Sequence, residues 1–438
     1  MKRNAYGRIP SRDRFGFSRK NRKKRTLILI AQSGVLLLCL GGILFSSVLL
    51  FNYIPRLTSG SPGHAPEPQQ LTTLPTQETT TPTVTQPVRE YLPSNSIVEN
   101  YFGPLPTVES PEELKSFEAY GLYMGNGIAA MDQFDKYKDT KVNSFVIDLK
   151  ESDGVAFDSQ NALAREAGLV LNKYRLKETV DKCHANNIKV IGRIVCFKDP
   201  LLAAYAPDRS IADKDGNPLK FTGESDKYFI NPYDQRNWDY IIELALEAVA
   251  AGVDEIQFDY VRFPVGGASN SVAPYFGDPA TTPTKPQAIN RFLQTARIRI
   301  QEEHGIPVTA DVFGIILSHA SDGYGIGQDW ATVGLTGVTA VCPMIYPSHY
   351  SDGILLNGQT FDKPNNHPHD VVYNALMAGK PAASVPNYTI VRPYLQCFSS
   401  YEYSHLMAQI KAIEDAGYKE WIFWNPNGSY PAGDYQSP

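Results

Sequence analysis

From Tyr120 to Trp424, short runs of β-branched and aromatic residues alternate with longer stretches whose apolar residues recur every three to four positions. The short runs read as strands covered on both faces, and the long ones as amphipathic helices. The spacing predicts strands at Tyr120–Met124, Ser144–Lys150, Val190–Phe197, Glu255–Phe263, Val308–Phe313, Ala340–Tyr346, Ile390–Gln396 and Glu420–Trp424. It predicts helices at Leu176–Asn187, Trp238–Ala251, Pro286–His304, His369–Ala378 and Tyr403–Ala416. Eight strands with intervening helices over about 330 residues match an α/β fold of the (β/α)8 TIM-barrel type. An open doubly wound sheet would carry a Gly-rich first turn, and the chain has none.

The pattern is different upstream. Thr26 to Phe51 contains no ionisable residue except Cys39. As a helix it is long enough to span a bilayer, which takes about 20 apolar residues. A cleaved signal peptide is the competing reading, but its apolar region is usually about 7–15 residues and ends at a small-residue site. Here the run ends in Phe51-Asn52-Tyr53-Ile54-Pro55. Residues 57–95 are rich in Pro, Thr, Ser and Gln, with almost no large apolar residue between Gly60 and Pro87. Such a segment reads as a disordered stalk. The expected organisation is a basic tail at 1–25, a transmembrane signal anchor at 26–51, a linker at 52–105 and the barrel at 106–438.

Charge sharpens this picture. Residues 1–25 hold 11 Lys or Arg against one acid, Asp13, out of 41 basic and 46 acidic residues in the 438-residue chain. The positive-inside rule then keeps the N-terminus cytoplasmic and exports the rest to the extracellular side of the cell membrane, with 26–51 in the lipid bilayer. The remainder is acidic, which argues against nucleic acid as a partner, because phosphate binding needs a basic face. Cys183, Cys196, Cys342 and Cys397 show no metal-binding spacing. Cys196 and Cys342 fall in apolar runs, as buried small residues do. Disulfides are compatible with an exported domain, but spacing does not pair them.

Candidate chemistry gathers where strands end. In Glu255-Ile256-Gln257-Phe258-Asp259, alternation puts Ile256 and Phe258 on one face and Gln257 and Asp259 on the other. With the apolar face against helices, Asp259 points into the barrel mouth, where Arg262 is a candidate partner. In Ile147-Asp148-Leu149-Lys150, Asp148 and Lys150 share the inward face. Asp311 falls late in its strand. Neighbouring strands supply Arg193, Tyr346 with His349, Arg392 with Gln396, and Trp424 with Asn425. Barrels build their active sites on this side. Glycoside hydrolysis needs two carboxyl groups, one to protonate the leaving oxygen and one to attack or to activate water. The competing reading of Asp148 is an internal ion pair with Lys150 or Arg193. Two long insertions, Lys198 to about Asn237 and Val265 to Lys285, lie on the same side. They carry Tyr205, Phe221, Tyr228, Phe229, Tyr233 and Tyr275, which either face sugar or pin the loops.

Gly121-Leu122-Tyr123, Phe145 to Lys150, Asp254 to Pro264, Pro343 to Tyr350, Arg392 to Gln396 and Trp424-Asn425-Pro426 carry a resemblance. Through them, residues 119–428 resemble a glycosyl hydrolase domain family of unknown function found in exported bacterial proteins. The family is similar to TIM-barrel hydrolases of the α-amylase and α-galactosidase groups. The resemblance implies that Asp259, ending the fourth strand, is the nucleophile. It implies a proton donor at the end of strand 5 or 6, where Asp311 fits strand 5. The amylase-like branch has Glu there, so this position departs from that pattern. Asp148, Lys150, Arg193, Gln257, Arg262, Tyr346, His349, Gln396, Trp424 and Asn425 are the expected substrate-binding residues for a polysaccharide or oligosaccharide.

Two rivals differ in class. A non-catalytic carbohydrate-binding or envelope domain would keep aromatics and dispense with one carboxylate. A metal-dependent polysaccharide deacetylase would need a ligand cluster, for which His367-Pro368-His369-Asp370 is the candidate. No G-x-S-x-G and no Gly-rich phosphate loop occurs, so neither a serine nucleophile nor a cofactor is expected.

Overall fold

The computed structural model describes residues 92, 93, 95–127, 132–225 and 227–436. The basic tail, the apolar run Thr26–Phe51 and the stalk up to residue 91 lie outside the described residues. Among the described residues, no helix is long and apolar enough to cross a membrane.

Eight parallel strands close on themselves. They are β1 Tyr120–Tyr123, β2 Ser144–Glu151, β3 Lys189–Val195, β4 Glu255–Asp259, β5 Val308–Phe313, β6 Ala340–Ile345, β7 as Ile390–Val391 and Tyr394–Gln396, and β8 Trp421–Trp424. Each pairs in parallel with the next, and β8 pairs with β1, so no barrel edge is left open. Every strand is buried almost throughout, which is why each reads as a continuous apolar run.

Differences from the expected boundaries have local causes. β4 stops at Asp259, because Tyr260 adopts a left-handed backbone with φ 48°. In β7, Pro393 has no N–H to give the ladder, so pairing lapses at Arg392-Pro393. It resumes in the same register, Val341 opposite Val391 and Met344 opposite Tyr394.

The outer layer includes α2 Leu176–Ala185, α3 Gln235–Ala250, α4 Lys285–Ala296, α5 Pro368–Ala383 and α6 Tyr403–Asp415. Thr284 and Gln287 form a capping box that starts α4, and a π-helical turn, Arg297–Glu302, continues it. Phe258 of β4 packs its ring 5.2 Å from Phe292 of α4. The apolar face of β4 therefore faces the helices, and Glu255, Gln257 and Asp259 point inward at successive levels.

The first helix, α1 Ser96–Phe102, falls inside the stretch expected to be linker. Asn95 caps it, and Gly103, φ 79°, ends it. Phe102 sits 4.8 Å from Trp238, and Glu99 accepts two bonds from Arg291 at 3.0 and 2.9 Å. The packed domain thus starts about ten residues earlier than composition suggests. Gly154–Phe157, antiparallel to the end of β2, and Val170–Tyr174 extend the sheet beyond the barrel. A hairpin of Ile354–Leu356 and Gln359–Phe361 follows β6. All three features escape the strand pattern because their strands are short or half exposed.

Candidate active site

A cleft of about 780 Å3 opens at the C-terminal ends of the strands. Its lining includes Arg193, Asp259, Tyr260, Asp311, Phe313, Met344, Tyr346, His349, Tyr350, Tyr394 and Trp424. The barrel below is filled rather than open. Near the strand starts, Arg392 pairs with Glu255 and Glu420, each at 2.6 Å. One level up, the Tyr394 hydroxyl donates to Gln257 at 2.6 Å. The acids of the cleft occupy the next level.

Asp259 is held by three N–H donors. Arg193 gives Nε at 3.1 Å and Nη2 at 2.6 Å to Oδ2, and the Tyr260 backbone N–H gives 2.6 Å to Oδ1. Such a charge-assisted set fixes the carboxylate in one orientation. The Tyr260 bond depends on the left-handed backbone just after the strand, a conformation uncommon for a residue with a Cβ. Arg193 also reaches Asp148 at 2.6 Å and contacts Glu151. One buried guanidinium therefore serves three carboxyl groups. Burial and the neighbouring Glu151 push the Asp148 carboxyl up to about 6, although Arg193 pulls the other way. Burial would also raise Glu151, but Arg193 outweighs it and holds that carboxyl below its usual range.

Asp311 is the opposite case. It is 1% exposed, and its Oδ1 has no hydrogen-bond partner. Burial, then the negative charge of Asp259, push its carboxyl well above the usual range. Phe258 of β4 lies opposite Ala310 of β5, so the next residues, Asp259 at the end of β4 and Asp311 two residues before the end of β5, lie side by side. One cleft thus presents a carboxyl anchored by three N–H donors and a buried carboxyl whose surroundings favour its protonated form.

Aromatic rings surround the pair. Tyr123 and Trp424 stack with centroids 3.8 Å apart, and Arg193 lies over both rings at 5.7 and 5.2 Å. Tyr346 meets His349 edge-on at 5.1 Å. Tyr260 is backed by Arg262 at 4.6 Å and Lys198 at 4.7 Å.

Of the twelve residues singled out from the sequence, Asp259, Asp311, Arg193, Tyr346, His349 and Trp424 line this cleft, and Asp148 adjoins it through Arg193. Five do not reach it. Lys150 is fully buried and pairs with Asp199 at 3.0 Å and with the Val195 carbonyl at 2.8 Å. The cause is a register shift between β2 and β3 just after Asp148, which breaks the simple alternation. Gln257 lies one level down, on Tyr394. Arg262 turns behind Tyr260 to Glu224 at 2.7 Å. Gln396 accepts from the Ser348 N–H at 2.9 Å and ties loops together. Asn425 donates to the Cys397 and Ser429 carbonyls at 2.6 and 2.7 Å.

Sequence reasoning missed Tyr394, Tyr260, Phe313, Met344 and Tyr350 in the cleft, and Tyr123 and Glu151 beside it. Glu151 follows a strand that already ends in Asp148 and Lys150, which was a usable signal. The loop aromatics Phe221, Phe229 and Tyr233 are buried and pin the insertions, while Tyr205 and Tyr275 are exposed away from the cleft. His369 bonds Asp370 and Asp415, each at 2.9 Å, and among the described residues no group of acids, His and Cys is placed to hold a metal. The four described cysteines are buried and free.

Comparison with known proteins agrees with this architecture. Residues 121–430 match the family described as "Putative glycosyl hydrolase domain". A hypothetical protein from Ruminiclostridium thermocellum is 35% identical over 44% of this chain and 97% of its own, with a TM-score of 0.38. The glycoside hydrolase domain of PgaB (BpsB) from Bordetella bronchiseptica is 11% identical over 72% of this chain and 95% of its own, with a TM-score of 0.53, a likeness of fold. An α-galactosidase from Thermus thermophilus is 10% identical over 73% of this chain and 60% of its own, with a TM-score of 0.46. No curated protein matches the sequence.

Proposed function

The chain belongs to the glycosyl hydrolase domain family that matches residues 121–430, and from that premise we propose that it hydrolyses O-glycosidic bonds with Asp259 and Asp311. The observation that carries the proposal is the contrast between two neighbouring carboxyls in one cleft. Asp311 is buried, unpartnered and raised, while Asp259 is fixed by Arg193 and Tyr260. Two neighbouring carboxyls in such unlike surroundings can divide into an acid and a nucleophile or base.

In the double-displacement form, an Asp259 oxygen bonds to the anomeric carbon as the bond to the leaving oxygen breaks. The Asp311 proton passes to that oxygen. Water then attacks the glycosyl ester, Asp311 takes its proton, and Asp259 leaves as the free carboxylate. Arg193 donates to Asp259 throughout, and the Trp424 and Tyr346 rings supply faces for the apolar side of a sugar.

The substrate class proposed is an extracellular or cell-wall polysaccharide. Location follows from sequence alone: a basic tail, an apolar run long enough to span a bilayer and a Pro/Thr-rich stalk. This reading makes the protein a single-pass membrane hydrolase with its barrel outside.

The test is turnover of wall and capsular glycans by the full chain in detergent, compared with Asp259→Asn and Asp311→Asn. Both variants are expected to lose about 10²–10⁴-fold in kcat, the usual worth of a positioned acid or base. Glycan binding without sugar release, equal in all three proteins, would instead mark a non-catalytic glycan-binding domain.

A further inference from the structure

A second cavity of about 280 Å3 adjoins the cleft, and its lining includes Tyr123, Asn126, Asp148, Glu151, Lys173 and Asn427. The wall between the two spaces is built from side chains that touch across it. Tyr123, on this side, stacks on Trp424, on the cleft side, at 3.8 Å. Arg193 crosses the same wall, with Asp259 on one side and Asp148 and Glu151 on the other. We infer that this cavity is a second sugar subsite, which holds the ring next to the one being cleaved. The inference rests on the hydrolytic reading of Asp259 and Asp311.

Three observations lead there. Consecutive rings of a glycan are joined through one oxygen, so their sites must touch, and these two share a wall of Tyr123, Trp424 and Arg193. The size lies just under the roughly 300 Å3 at which ligand sites begin, which suits one ring rather than a chain. The lining matches a polyol. Among the described residues, the side-chain amides of Asn126 and Asn427 bond no other protein group, while Asp148 and Glu151 supply acceptors.

Charge narrows the class of ring. Lys173 is already shared with Asp153 at 3.1 Å, and Arg193 with three carboxyls. Among the described residues the lining thus carries more carboxylate than free cation, and a uronate, sulfate or phosphate would be set against Asp148 and Glu151. The ring it takes carries no anionic group. An enzyme built this way prefers a bond inside a chain to one on a single sugar with a small leaving group.

The experiment compares kcat/KM of the full chain on p-nitrophenyl monoglycosides of neutral hexoses and N-acetylhexosamines with that on neutral oligosaccharides of two to six rings of the same sugars. The wild type should gain at least about tenfold between the monoglycoside and the oligosaccharides. In the Asn126→Ala/Asn427→Ala double variant, the ratio of the two should drop about tenfold, mainly through KM, the worth of two lost neutral hydrogen bonds. Equal kcat/KM at all lengths, or an unchanged ratio in the variant, overturns the subsite while leaving the hydrolase standing. If the wild type releases no sugar from any substrate, the hydrolase reading fails instead. Calorimetric binding of the same oligosaccharides to Asp311→Asn, with and without the double substitution, then decides the subsite by itself. Unweakened binding in the substituted chain overturns it.

Discussion

Arg193 and Asp259 face each other across β3 and β4, joined by two N–H donors to one carboxylate oxygen at 3.1 and 2.6 Å. The same guanidinium reaches Asp148 at 2.6 Å and contacts Glu151, and it is 3% exposed. It is the hub of the site, since Lys150, buried on the neighbouring strand, is committed to Asp199.

Replacing Arg193 by Met leaves three carboxyls near the barrel mouth with no counter-charge. Breaking a buried pair from one side costs about 3–5 kcal/mol. Arg193→Met is therefore expected to lower the midpoint of denaturation and to lose activity. Arg193→Lys should retain more stability than activity, because a point-like ammonium cannot give two aligned donors to the Asp259 oxygen and reach Asp148 in one geometry. Chemical denaturation and kcat, measured on both variants, separate the two effects. Equal losses from both substitutions in both assays would show that the fork geometry is irrelevant.

The pH dependence follows from the raised carboxyl of Asp311. Its protonated form is the proposed donor, so the rate should hold well above the pH at which ordinary carboxyls ionise and then fall as pH rises through the Asp311 pKa. Stability carries the same sign. A carboxyl whose folded pKa is raised keeps a proton that the unfolded chain releases, so stability drops with rising pH between the two values. Asp311, and Asp148 with its value near 6, both act this way. Asp311→Asn removes one such group. It should be more stable than the wild type, with a gap that widens by up to ~1.4 kcal/mol per pH unit in that window. Thermal unfolding of both proteins from pH 4 to 8 checks this. A constant gap would mean that Asp311 does not titrate where its surroundings place it.

Stereochemistry is a third consequence. Asp259 ends β4 and Asp311 sits beside it on β5, and neighbouring strands run about 4.8 Å apart. That placement fits the roughly 5–5.5 Å carboxyl spacing of retaining hydrolases better than the 6.5–9.5 Å of inverting ones. The first sugar released should therefore keep the anomeric configuration of the substrate, as read by proton NMR before mutarotation. Release of the opposite anomer would make Asp259 a base acting through water.

Much of this fold is legible in the sequence because a parallel barrel buries both faces of every strand. Its strands stand out as apolar runs, and a carboxylate inside such a run, as at Asp259, needs a reason. Alternation located Asp259 and position late in a strand located Asp311, since β4 and β5 are regular where these residues sit. Alternation misplaced Lys150, since a register shift is a property of two paired strands and neither shows it alone. Tyr123 and Tyr394 were hidden for a related reason. An aromatic residue in a strand reads as core until the closed barrel shows which face looks inward. The Asn95 cap and Gly103 stop of α1 were visible, but the Pro- and Thr-rich composition upstream masked them.

The floor of the barrel gives the last prediction, and it concerns stability alone. Arg392 is fully buried and bridges Glu255 and Glu420, each at 2.6 Å, with Thr309 donating to Glu255 at 2.9 Å. One Arg392 nitrogen and one Glu255 oxygen remain unpartnered, so the cluster is already under-satisfied. Burial raises the Glu255 carboxyl even with Arg392 beside it. Arg392→Met would strand both acids, at a cost of about 3–5 kcal/mol. The triple variant Arg392→Met/Glu255→Gln/Glu420→Gln removes the charges with it and should recover most of the loss, because neutral groups of similar shape avoid the penalty of an unpaired charge. The single variant should also regain stability as pH falls toward 4 and the stranded acids take up protons, whereas the triple variant should not. Urea unfolding at pH 4.5 and 7.5 reads all of this. A single variant as stable as the wild type at pH 7.5 would show that the floor cluster is not held together by its guanidinium.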